Sequence, residues 1–170
     1  LFQASMARFL SVENYGVLAA LGYLTYFLST SSESLQTVVT KYAAPEKDKG
    51  KLRNLMRRSF RKMGKITFAF FIVYCIAMIP FSYFSDIPYT LLLVNGLIIF
   101  PILLIPITRG VLQGKKRFYA LGFNLIFEAG IKIVIGISLV LIGWQVYGAL
   151  AGLIIGLFVA FLISLFTLKD

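Results

Sequence analysis

Four long apolar runs constrain this chain more than any other feature of its sequence. A bilayer core about 30 Å thick takes about 20 residues of α-helix, each rising about 1.5 Å. Residues 66–84, 89–107, 118–142 and 148–168 each supply that length in Ile, Leu, Val and Phe, with short connections of Pro, Gly or charge between them. Each is predicted to span a membrane as a helix. Residues 17–40 make a weaker fifth span, apolar as far as Leu28 and then reading Ser29-Thr30-Ser31-Ser32-Glu33-Ser34. Residues 1–10 read as the last part of a further helix, turning over residues 11–16. The expected fold is all-α and integral to the membrane, a multi-span helical bundle. Of the 170 residues 59% are hydrophobic and 14% charged, where a soluble domain carries roughly a quarter charged. Without any His there is no histidine general base or metal ligand, and the single Cys75 has no intramolecular disulfide partner. An enzyme is not expected.

The formal charge of +10 raises the question of nucleic acid. The positions of the bases answer it, because Lys and Arg accumulate in the connections that stay cytoplasmic. Residues 41–65 hold ten bases against the acids Glu46 and Asp48. Two crossings later come Arg109, Lys115, Lys116 and Arg117, and after the last span Lys169. The intervening connections, residues 11–16, 85–88 and 143–147, contain no Lys or Arg. Segments 41–65 and 109–117 are therefore expected on the cytoplasmic side of the cell membrane, and fifteen of the seventeen bases are explained by orientation. Nucleic-acid binding loses its main support. Tyr83, Phe84, Tyr89, Trp144 and Tyr147 fall at span boundaries, where aromatic rings favour the headgroup level. Within the basic segment Leu52, Leu55, Met56, Phe60 and Met63 recur near helical spacing, which predicts an interfacial amphipathic helix with its apolar side at the acyl boundary.

Ionisable groups inside a bilayer cost several kcal/mol, so those that remain face a bundle interior or a wet cavity. Glu33 belongs to a helical stripe with Ser29, Ser32, Gln36 and Thr37, and this stripe is predicted to form a cavity wall. Glu128 and Lys132, one turn apart, share a face with Asn124. They read either as a structural ion pair or as ligand groups in a chamber. Arg8 either snorkels to the interface or joins the chamber. Pro101 and Pro106 predict kinks in the span ending at Arg109. Gly148, Gly152, Gly156 and Ala160 form a small-residue ridge for close helix packing, against either this chain or a second subunit.

Several of these features, in this order, resemble the polysaccharide-transporter branch of the multidrug, oligosaccharidyl-lipid and polysaccharide exporter superfamily, which includes lipid-linked oligosaccharide flippases. Arg8-Phe9-Leu10 through Glu13-Asn14-Tyr15-Gly16 is similar to that family's turn after its first helix. Arg109-Gly110-Val111-Leu112-Gln113-Gly114 with Arg117-Phe118 resembles its turn between the fourth and fifth helices. Glu128, Lys132, Gly143 and Tyr147-Gly148-Ala149 look like its fifth helix and the start of its sixth. The Lys stands where the family more often has Arg, which keeps the charge but not the bidentate fork.

The resemblance implies two six-helix lobes around a cavity open alternately to each side. This chain would be an incomplete N-terminal lobe with a truncated first helix, lacking the C-terminal lobe. It implies a lipid-linked glycan as substrate, with Lys132 and Arg8 offsetting pyrophosphate charge, Arg109 at the cytoplasmic entrance, and Glu33 and Glu128 coupling to Na⁺ or H⁺ or holding Lys132. No other cofactor is implied, and the remaining partner is the lipid bilayer. Two alternatives stay open: a small-molecule antiporter of the same superfamily, and a non-transporting membrane scaffold subunit.

Overall fold

The computed structural model describes residues 2–46 and 48–168; Lys47 and Lys169, two of the bases placed on the cytoplasmic side above, lie outside the described residues. All regular structure described is helical: α1 (Phe2–Phe9), α2 (Val12–Ala43), α3 (Lys49–Ser85), α4 (Tyr89–Gly96), α5 (Ile99–Gly114), α6 (Phe118–Leu139) and α7 (Gln145–Thr167), with a π-helical turn at Val140–Trp144. Among the described residues three helical stretches are long and apolar enough to cross a membrane: Gly50–Ser85, Tyr89–Gly114 and Phe118–Thr167. The polar stripe on α2 dilutes its hydropathy, and α2 is not one of the three.

The third stretch is two antiparallel arms. Gly143 has φ 102° and Gln145 φ 44°, left-handed values that turn the chain back on itself. The small-residue ridge of α7 then lies on α6: a Cβ on Gly152 would be 2.5 Å from the Gly136 Cα, and one on Gly156 would be 2.9 Å from the Lys132 Cβ. The ridge therefore packs within this chain, and it brings α7 onto the backbone of the turn that carries Glu128 and Lys132. Behind it the Thr108 and Ser164 hydroxyls share a 2.6 Å hydrogen bond between α5 and α7.

Three predicted boundaries change. First, the basic segment 41–65 is not a loop: α2 runs to Ala43, and α3 starts at Lys49, where the Asp48 carboxylate accepts from the Gly50 N–H at 2.7 Å. From there α3 continues unbroken through the predicted span to Ser85. Three of the five residues of its apolar stripe meet protein. Leu52 and Met56 pack on Val39, Ala43 and Val111, and the Phe60 ring meets Phe161 edge-on at 5.9 Å. Second, the span 89–107 is two helices. Pro101 has no N–H for the Leu97 carbonyl, and Leu97 and Ile98 instead donate three residues back, to Val94 and Asn95. Third, α5 extends to Gly114, so the connection expected from residue 109 begins only at Lys115.

Hydrophobic packing closes the bundle at both ends. Met6, Leu18, Leu21, Leu92, Ala149 and Leu150 fill the end that carries the base-free connections. Val39, Ala43 and Val111 fill the base-rich end. Between these clusters α2 and α6 stand apart across α5.

Candidate functional site

The gap between α2 and α6 is a cavity of about 630 Å³ with α5 as its floor. Tyr26, Glu33 and Thr37 on its α2 wall are exposed, so it is an open cleft. Helical periodicity supplies that wall: Ser29, Ser32, Glu33, Gln36 and Thr37 recur at three- and four-residue intervals and all line the cleft. Close approach of α5 holds the wall in place. A Cβ on Gly110 would be 2.8 Å from the Gln36 carbonyl oxygen, Thr40 Oγ1 donates to the Gly110 carbonyl at 3.1 Å, and the Gln36 amide donates to Gln113 Oε1 at 2.9 Å. Toward the other end, Thr25 donates to Asn95 Oδ1 at 3.2 Å and Asn95 donates to the Tyr74 hydroxyl at 3.3 Å, tying α2, α4 and α3 together.

The opposite wall carries the charges. Arg109 Nη2 meets Glu128 Oε2 at 2.5 Å, while Lys132 Nζ lies 3.6 Å from Glu128 Oε1. One carboxylate thus uses each oxygen on a different base. The guanidinium is oriented from a second direction, Nε donating to Asn124 Oδ1 at 2.9 Å. Asn124 in turn donates to the Ala160 carbonyl at 2.6 Å, where α7 crosses. The side chains of Arg109, Glu128 and Lys132 are 11%, 13% and 27% exposed, a gradient from the packed floor toward the open cleft. The cluster carries a net formal +1, and Glu33 across the cleft brings the total to zero. Glu33 forms no ion pair among the described residues.

The structure therefore gathers Glu33, Gln36, Glu128 and Lys132 around one space, with Arg109 added. Asn124 does not line the cleft; it is buried behind the cluster as the support of Arg109. Arg8 is exposed on α1 and does not line it either, since Phe2 and Gln3 are the α1 residues that do. Arg109 corrects the sequence reading most. It is a buried group inside α5 and not part of a cytoplasmic connection. The pairing needs the helix ends: only with α5 ending at Gly114 and α6 starting at Phe118 does Arg109 sit five residues from one end and Glu128 ten residues from the other, a depth difference of roughly 8 Å that a long arginine side chain spans. The Asn95–Tyr74–Thr25 network had no sequence signal either.

Chemically the cleft offers two donor-rich cations sharing one carboxylate, facing hydroxyl and amide groups. Charge-assisted donors on one wall thus face hydroxyl and amide groups, which both donate and accept, on the other. The chain matches no family model, no curated protein and no solved structure.

Proposed function

We propose that this chain is the N-terminal lobe of a two-lobe alternating-access transporter, one that flips lipid-linked oligosaccharide or exports a polysaccharide precursor across the cytoplasmic membrane. The single observation that carries this reading is the polar cleft between α2 and α6, lined by the buried Arg109 and the partly exposed Glu128 and Lys132 joined to it. Ionisable groups at membrane depth are costly, and a water-filled pathway gives them a reason to be there. Hydroxyl and amide groups on α2 match sugar hydroxyls, and Lys132 with Arg109 would meet phosphate in place of the expected Lys132 with Arg8. In this reading α2 crosses the membrane despite its low hydropathy, because its polar stripe faces the cleft, and the base-rich ends of α2, α3 and α5 face the cytoplasm. Outward movement of an anion from an inside-negative cell gains about 2.3 kcal/mol per charge per 100 mV, so a Na⁺ or H⁺ gradient would add to a favourable direction.

The test is complementation of a flippase-deficient strain by the complete gene, scored as surface polysaccharide. Lys132→Gln is expected to abolish export at unchanged protein level, and retained export refutes the assignment. One observation favours a second reading. Glu33, ion-paired with none of the described residues, gives the cleft a site for a cationic compound, as a small-molecule antiporter requires. Loss of resistance to cationic compounds in Glu33→Gln, with polysaccharide unchanged, would select that reading; no effect of either variant would leave a scaffold subunit.

A further inference from the structure

The outward face of α3 changes character within one helical turn. Arg53, Arg57, Arg58, Arg61, Lys62 and Lys65 are all exposed, and none forms an ion pair among the described residues. From Ile66 onward the exposed residues are apolar, among them Phe68, Ile72, Ile76 and Ile79. Arg61, Lys65, Phe68, Ile72, Ile76 and Ile79 follow at three- and four-residue spacing and so lie on one face of a continuous helix. That face is a boundary between charge and hydrocarbon.

Depth supports this. The twenty residues from Ile66 to Ser85 span about 30 Å, the thickness of a bilayer's hydrocarbon core. Arg58 to Lys65 then cover roughly the next 10 Å, which is the headgroup layer and its edge. The opposite side of this half of the helix is occupied, since Leu52, Met56 and Phe60 pack on α2, α5 and α7. The helix cannot roll its cations inward, and they point away from the protein. A soluble polyanion would find charge here, but with an acyl-facing surface starting one residue past Lys65.

We infer that this face is a binding site for anionic phospholipid headgroups, in the leaflet that the base-rich end of the bundle meets. The site is built from guanidinium and ammonium groups with no ion-pair partner among the described residues, held on the outward side of α3 by the packing of its other side. The inference rests on α3 lying in the membrane and is independent of transport.

The test uses the intact chain in phosphatidylcholine vesicles with trace spin-labelled phosphatidylglycerol or spin-labelled phosphatidylcholine. The electron spin resonance signal of immobilised lipid gives the relative affinity of the two. A several-fold preference for phosphatidylglycerol is expected at low salt, collapsing at high salt. The preference should vanish in the variant combining R57Q, R58Q, R61Q and K62Q, and persist in the one combining R57K, R58K and R61K. Equal affinity of the unaltered chain for the two lipids overturns the inference, as does a preference that salt does not weaken or that survives in the glutamine variant. Displacement of the labelled lipid by stoichiometric single-stranded RNA would assign the face to a soluble polyanion and also overturn it. The salt titration needs no variant, so a glutamine variant that inserts poorly leaves the inference open to refutation.

Discussion

Gly152 sets how closely α7 lies on α6, and replacing it tests the whole packing argument. A Cβ there would stand 2.5 Å from the Gly136 Cα and 2.6 Å from its nitrogen. Carbon atoms rest comfortably at about 3.5–4.0 Å, and these are backbone atoms with no side chain to swing aside, so Gly152→Ala must part the helices by roughly 1 Å. Overpacking of this kind costs about 1–3 kcal/mol. Alanine also gains about 0.8–1.0 kcal/mol over glycine in a helix interior, which a suitable control removes: Gly130 is on α6 with nothing within 4 Å of its would-be Cβ. The difference between Gly152→Ala and Gly130→Ala therefore isolates the clash. At about 2–4 °C per kcal/mol for a chain of this size, Gly152→Ala should melt roughly 2–12 °C below Gly130→Ala, measured by circular dichroism in detergent micelles. The separation also pulls on the 2.6 Å bond from Asn124 to the Ala160 carbonyl, which supports Arg109. Indistinguishable midpoints for the two variants would show that α7 does not lie on α6 as described.

Glu128→Gln leaves the Arg109 guanidinium, 11% exposed, without its counter-charge. Breaking a buried pair costs about 3–5 kcal/mol, and the open side of the cleft places this one at the lower end of that range. Glu33→Gln, at an exposed carboxylate with no ion-pair partner among the described residues, should stay within about 0.5 kcal/mol of the parent. Unfolding in denaturant checks both, and equal effects would contradict the cluster. Gly143→Ala should lower stability by about 1–3 kcal/mol through backbone strain alone, because φ is 102° and no atom lies within 4 Å of the added Cβ; a thermal midpoint matching the parent would mean that the turn adopts another conformation.

Much of the architecture was legible in contiguous residues. Apolar length marked the spans on α3 to α7, the bases clustered at one end of the bundle, and the three- and four-residue recurrence of Ser29, Ser32, Glu33 and Gln36 marked a polar face on α2 before any neighbour was known. Each of these is a local property, because helix rise and periodicity act on consecutive residues. The i, i+4 spacing of Glu128 and Lys132 belongs to the same class. Other features depend on how far one helix slides and turns against another. Arg109 reads as the start of a basic connection until α5 is seen to continue to Gly114 and to lie beside α6, and only then does it become the closer partner of Glu128. Arg8, by contrast, is exposed and does not line the cleft. The stripe of Leu52, Met56 and Phe60 is equally amphipathic on lipid or on protein, and contact with Val39, Ala43, Val111 and Phe161 decides for protein. Sequence alone determined which stretches are apolar enough to span a bilayer and which helix faces are polar, since length and periodicity are local properties; the tertiary structure decided which polar groups meet, since a 2.5 Å contact across nineteen residues is set by packing between helices that no local pattern records.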